Sequence, residues 1–267
     1  MEAKLFQVDA FTSRVFGGNP AAVVPLGEWL PDATLQAIAA ENNQAETAYF
    51  VPAGGGEGVD FHLRWFSPIV EIDLCGHATL ASGHVLINHL GFCRPTVRFS
   101  SKSGTLEVRR ERGPLGECLV LDFPARPGER REPPRVLVEA LGAAPRELLV
   151  ARDWMAVFES EEIVRSLRPD FARLSALETF GFIVTAPGTK ADFVSRFFAP
   201  RQGIPEDPAT GSSHCTLVPY WAKRLGKNDL HGVQVSQRGG EMFCRLRGDR
   251  VDIGGRAVTY LEGTIRI

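Results

Sequence analysis

"CGHATLASGHVLINHLG", Cys75 to Gly91, is the stretch on which the fold turns. It contains no Asp, Glu, Lys or Arg, and its Ala, Leu, Val and Ile fall at every angle of a helical wheel. A helix without a polar face has none to give to solvent, so it belongs inside the protein. Gly91 closes it as a left-handed C-cap. The segments around it alternate instead. "ETAYFVPA" and "DFHLRWFSP" flank a Gly-rich turn at Gly54 to Gly56 and read as a hairpin, and "TVRFSSKSGTLEVRR" returns to strand. Upstream, "LFQVDAFT" and "AAVVPL" alternate like strands around "DATLQAIAAEN", which has helix period. An uncharged helix surrounded by strands is most simply the central helix of a curved or barrel-like sheet. The fold class is therefore α+β.

The chain contains this pattern twice. A shift of 132 positions lays Glu46-Thr47 on Glu178-Thr179 and Phe50-Val51 on Phe182-Ile183. The same shift lays Asp60-Phe61 on Asp192-Phe193, Arg64 on Arg196, and Phe66-Ser67-Pro68 on Phe198-Ala199-Pro200. Two copies are too few for a solenoid and read as two similar domains related by a pseudo-twofold. "FPARPGERREPPR", Phe123 to Arg135, has the Pro, Gly and charge content of a linker, which predicts domains over 1–128 and 129–267.

Thirty basic residues against thirty-two acidic ones give a net charge of -2, which argues against nucleic acid or an anionic membrane as a main partner. No apolar run reaches the ~18 residues of a membrane span. Five cysteines without CxxC spacing or a signal peptide read as free thiols in a reducing cytosol, so the expected location is cytoplasmic. No Walker, GxGxxG or GxSxG motif is present, so nucleotide cofactors and acyl transfer are not expected. His77 and His84 could share a helix face with Cys75 or His89, but no HxxxH or HExxH pairing supports a metal, and none is expected.

The shift places Cys75 opposite Asp207, each read as the start of its half's central helix, with Pro208 suited to the first helical position. A helix entrance presents unpaired N–H groups and the positive end of a dipole, so it suits a carboxylate or a developing oxyanion. Gly76 and Gly211 allow a ligand close to the backbone. If the two entrances face each other across the domain interface, they make one site for a small, anionic molecule.

At these residues the chain resembles the phenazine-biosynthesis PhzF family, which has the diaminopimelate-epimerase-like fold. The matching segments are "FQVDAFTSRVFGGNPAAVV", "ENNQAETAYF", "RWFSPIVEIDLCGHAT", "IPEDPATGSSH" and "QRGGEMFCRL", spread over nearly the whole chain. The resemblance implies two similar domains, a homodimer, and isomerase or epimerase chemistry with no cofactor. "GSSHCTLVPYWAKRLGK" is closer to the broad, poorly assigned branch of the family, so no substrate is carried over.

Glu46 is assigned to proton transfer, a task a carboxylate performs when burial brings its pKa towards the working pH. Its repeat mate Glu178 raises the alternative of a helix-end carboxylate in both halves. The resemblance makes His77 a polar partner or proton relay, and Asp207 and Ser212 site residues. Cys75, Gly76, Thr210, Gly211 and Ser213 are expected to bind substrate. Asn19 is read as a structural turn residue and Cys215 as core. Two alternatives stay open: an epimerase using Cys75 and Asp207 as unequal bases, and a catalytically silent small-molecule-binding protein on the same scaffold.

Overall fold

The computed structural model describes residues 1–55, 58–113 and 116–267. It is α+β, and it divides into a first unit, Met1–Asp122 with Gly254–Ile267, and a second unit, Phe123–Ile253. The expected boundary at 128/129 is thus displaced, and the tail does not stay with the second half. The physical reason is strand pairing. Ala257–Arg266 lies antiparallel to Glu2–Ala10, from Ala10 opposite Ala257 to Glu2 opposite Arg266. The supposed linker is also partly ordered structure, because Glu129–Arg131 pairs antiparallel with Glu147–Val150. No helix among the described residues is long and apolar enough to cross a membrane.

In the first unit, Asn19–Pro25 pairs antiparallel with Glu2–Ala10 and parallel with Glu46–Pro52, the parallel step being bridged by the helix Asp32–Asn42. Glu46–Pro52 and Phe61–Phe66 form the expected hairpin. Gly54 and Gly55 take positive φ in its turn, while Gly56 lies outside the described residues. The helix Gly76–Asn88 runs against Glu2–Ala10, Asn19–Pro25, Glu46–Pro52, Gly104–Gly113 and Ala257–Arg266. It is buried on every side but for His84 and Asn88. Its buried hydroxyls are satisfied within the helix: Thr79 Oγ1 donates to Cys75 O at 2.5 Å and Ser82 Oγ to Ala78 O at 2.8 Å. Gly91 is not the residue that ends the helix. With φ +70 it turns the chain so that Phe92 N–H reaches Leu86 O at 2.9 Å.

The second unit repeats the arrangement. Phe182–Pro187 and Phe193–Ala199 form a hairpin, Ile204–Asp207 returns along it, and the helix His214–Leu225 follows a short 3₁₀ turn, Gly211–Ser213. Pro219 lies inside that helix and cannot donate to Cys215 O. Arg126 N–H takes the vacant place at 2.8 Å, so the proline leaves no carbonyl stranded. One ion pair recurs in both units. Arg64 grips Glu71 with two bonds of 2.8 and 3.0 Å, and Arg196 grips Glu206 with two of 2.7 and 2.9 Å. Each pair ties the hairpin to the return strand that leads to a helix entrance.

The strand registers correct the gapless match. Pro52 lies opposite Phe61, and Pro187 opposite Phe193. The second hairpin turn is therefore shorter, and Glu46 corresponds to Gly181 rather than to Glu178. Glu178 is exposed, in the turn before the strand. Likewise Trp65 lies opposite Ile72, and Phe197 opposite Asp207. Asp207 thus corresponds to Ile72, and the residue corresponding to Cys75 is Thr210. The 132-residue shift holds over Asp60 to Phe66 and fails on both sides, where a shortened turn and a lengthened one compensate.

Two outcomes test this packing. A methyl group at Gly83 would meet Val108 Cγ1 at 2.6 Å. Helix propensity favours alanine by about 1 kcal/mol, whereas overfilling a packed core costs about 1–3 kcal/mol. Gly83→Ala should therefore lower the denaturant midpoint, and a raised midpoint would refute the close approach. The second outcome concerns Glu71. Hydrogen bonds from Arg64 outweigh burial and hold its carboxyl down at about 2, against an ordinary 4.5. Its contribution is present above about 4.5 and is lost as pH falls towards about 2. Glu71→Gln should flatten that part of the stability-versus-pH curve, measured by urea melts.

Candidate active site

The first helix entrance is capped by Cys75, whose backbone is extended and whose side chain makes no cap hydrogen bond. Gly76 and His77 then occupy the first turn, where the N–H groups have no partner within the helix. Strand order brings two more polar residues here. Glu46 opens its strand opposite Ala21, and Asn19 opens the neighbouring parallel strand. Glu46, His77 and Cys75 are 8%, 7% and 5% exposed, and Asn19 is fully enclosed. Four polar groups are thus taken out of water together, which their mutual contacts must repay.

The contacts centre on His77. Its Nε2 lies 3.1 Å from Glu46 Oε2, its Nδ1 lies 3.2 Å from Asn19 Nδ2, and Cys75 Sγ lies 3.4 Å from Nδ1. Glu46 Oε2 is buried, and the His77 ring is the polar group it approaches. Burial, followed by the nearby Glu46 charge, pushes the Cys75 thiol up to about 11. Burial works against a charged His77, but the negative Cys75 and Glu46 partners outweigh it and hold the imidazole well above its ordinary value. The result is a buried carboxyl group beside an imidazole whose charged form its neighbours favour.

The second entrance has different chemistry. Thr210 occupies the cap position, and Asp207 is the last residue of the strand Ile204–Asp207. Asp207 is therefore not the cap and Pro208 not the first helical residue, but the Asp207 carboxylate still accepts the Thr210 hydroxyl. Gln234 clamps this turn from a neighbouring strand, accepting Thr210 N–H at 2.8 Å and donating to Asp207 O at 2.6 Å. Ser213 Oγ is spent internally on Thr210 O at 2.8 Å. Ser212 Oγ accepts from Arg152 Nη2 at 3.2 Å. Arg152 in turn is held by Asp153 at 3.1 Å and lies 4.3 Å over the Phe180 ring. Burial lowers His214 to about 4, so it is neutral, and its Nδ1 lies 3.0 Å from Thr210 O.

Of the expected residues, the first unit brings together Glu46, Cys75, Gly76 and His77, and the second brings together Asp207, Thr210, Gly211, Ser212 and Ser213. Because Thr210 rather than Asp207 corresponds to Cys75, the symmetry argument for a Cys75–Asp207 base pair falls. His84 does not join His77: its Nε2 lies 2.9 Å from Thr259 Oγ1, which His89 also approaches at 2.7 Å. Cys215 is core, as expected. Three site residues were missed. Asn19, expected as a structural turn residue near the cleft, instead opens a strand and lies against the His77 ring. Arg152 and Gln234 carry no local motif and act only through tertiary contacts.

Residues 8–263 match the PhzC-PhzF family model, described as phenazine biosynthesis-like protein. The chain is 50% identical to "Uncharacterized isomerase PA2770" of Pseudomonas aeruginosa, with 100% of each chain covered. It is 45% identical to a crystal structure of a phenazine biosynthesis protein of the PhzF family from Enterococcus faecalis, with a TM-score of 0.95 and 100% of each chain covered. A hydroxyproline epimerase from Agrobacterium vitis, 10% identical with a TM-score of 0.62 over 99% of this chain and 92% of that one, shares the fold alone. That fold is the diaminopimelate-epimerase-like one expected from the sequence. The chain belongs to the phenazine biosynthesis-like PhzC-PhzF family of isomerases.

Proposed function

We propose that the chain is a cofactor-independent isomerase that moves a proton between carbons of a small, anionic metabolite, with Glu46 as the acid/base. The observation that carries this reading is Glu46 Oε2, buried and 3.1 Å from a ring whose charged form its negative neighbours favour. A positioned carboxyl group shielded from bulk water is suited to take and return a proton. After it takes a proton from a C–H next to an acidifying group, the neighbouring imidazolium stabilises the charge that develops on the substrate. Returning the proton to a second carbon restores Glu46 and completes the isomerisation. Gly76 and the first turn of its helix supply N–H groups to an oxyanion. In the second unit, Thr210, Gly211 and Ser212, with Asp207 and Arg152 behind them, are suited to binding a carboxylate. We extend the proposal to a homodimeric protein, which light scattering would check.

Proton exchange can be followed without knowing the substrate, by incubating a panel of small enolisable carboxylic acids with the protein in D2O. Glu46→Gln should keep the fold and lower exchange by ~10²–10⁴, the usual contribution of a positioned acid/base. Near-normal exchange in that variant would remove Glu46 from the mechanism, and no exchange by wild type across the panel would favour a silent binding protein.

Activity that needs the His77 imidazolium is lost on the alkaline side, at a pH well above the ordinary 6.5. His77→Gln should abolish that alkaline limb as well as lowering turnover. An unchanged limb would place the titrating group elsewhere.

Cys75 separates proton shifting from epimerisation. A two-base epimerase needs a thiol that both gives and takes a proton, whereas the Cys75 thiol is held up at about 11. Cys75→Ser should therefore keep most of the exchange. Loss of exchange, with label appearing at an inverted carbon, would establish the epimerase instead.

A further inference from the structure

The strand Ala257–Arg266 has one partner, Glu2–Ala10, which holds Asn19–Pro25 on its other side. The strand before it, Arg250–Gly255, runs into it after Arg256 alone and has no turn with which to fold back beside it. Ala257–Arg266 is therefore an edge, and among the described residues no strand lies along its far side. A long exposed edge invites another strand unless charge, proline or a bulge blunts it. Tyr260, passed over in the pairing between Thr259 and Leu261, is such a bulge, but it protects only the first part. Residues 261–267, "LEGTIRI", follow it without a bulge or a proline.

We propose that residues 261–267 pair antiparallel with the same residues of a second copy of this chain, about a twofold axis at Thr264. Backbone direction comes first. Met1 and Ile267 exchange both of their hydrogen bonds, at 2.7 and 2.8 Å. An antiparallel ladder alternates, so Gly263 and Ile265 also turn their N–H and C=O towards Glu2–Ala10, while Glu262, Thr264 and Arg266 turn theirs away. Around an axis at Thr264 those outward groups meet one another. Thr264 lies opposite its own copy, and Glu262 lies opposite Arg266 twice. Leu261 lies opposite Ile267, and these are apolar side chains left 40% and 41% exposed in the single chain. Centring the axis on Glu262 would set two carboxylates together, and centring it on Gly263 or Ile265 leaves the charges unmatched. The charges also have capacity to spare. Arg266 reaches Glu2 through Nε alone, at 3.3 Å, and Glu262 is held only loosely, 3.4 Å from Lys4 and 3.5 Å from His89. The second copy completes a row of alternating sign, from Glu2 through Arg266 to the partner's Glu262.

The pairing rests on the homodimer proposed above and is independent of Glu46 as the base. Sedimentation velocity of the whole chain should show a dimer that dissociates on dilution. Glu262→Arg, with folding checked by circular dichroism, sets arginine against arginine twice and should weaken that dimer at least ~10-fold. Combining Glu262→Arg with Arg266→Glu restores both pairs and should return the dissociation constant towards that of wild type. The register is read separately. Opposite residues of a hydrogen-bonded pair have Cα atoms about 5.5 Å apart, within disulfide range. Thr264→Cys, made together with Cys93→Ser to remove the exposed native thiol, should therefore cross-link two chains when oxidised with diamide. A dimer that ignores the charge variants, or one in which Thr264→Cys fails to cross-link, would overturn this edge and leave the homodimer standing. A chain that stays monomeric at every concentration would overturn both, and deuterium exchange would still decide the isomerase.

Discussion

A helix buried on every side but for His84 and Asn88 sets the terms for everything else in the first unit. Gly76–Asn88 can satisfy its interior within itself, including the hydroxyls of Thr79 and Ser82. It cannot satisfy the N–H groups of its first turn. Strand order brings Glu46 and Asn19 to this entrance, where both approach the His77 ring. Glu46 and Asn19 arrive because two parallel strands both begin at that level. The site follows from how the helix is packed.

The second unit meets the same constraint with different residues. Cys75, Gly76 and His77 correspond to Thr210, Gly211 and Ser212, so a thiol and an imidazole are replaced by two hydroxyls. The position of Glu46 is taken by Gly181, and no carboxylate opens that strand. Arg152 and the turn clamped by Gln234 stand at this entrance instead. One scaffold thus carries two differently furnished helix entrances, one with a carboxyl group, a thiol and an imidazole and the other with hydroxyls.

The central helix, the hairpins and the residues of both entrances were legible because each has a local signature: an uncharged run, alternation around a turn, a Gly next to a helix start. The Arg64–Glu71 and Arg196–Glu206 pairs show how far the internal repeat could be trusted, since both arginines match at the original shift but their glutamates do not. The error at Glu178 and Asp207 arose because a shorter hairpin turn is offset by a longer return loop, which leaves chance identities at the wrong register. Asn19, Arg152 and Gln234 were not legible for a different reason. Their roles depend on which strands lie side by side, and pairing between distant strands has no local trace.

The strand Ala257–Arg266 belongs to the first unit, although it is separated from the rest of that unit by the whole of the second. On the ribosome, Glu2–Ala10 emerges long before its partner on that side. For nearly the entire time of synthesis the first sheet has an open edge, and its helix Gly76–Asn88 lacks one of the strands that cover it. The second unit is continuous in sequence and meets no such delay. Cotranslational folding should therefore run against chain order, with the later-made unit maturing first and the earlier one waiting, exposed to chaperones, for its final strand.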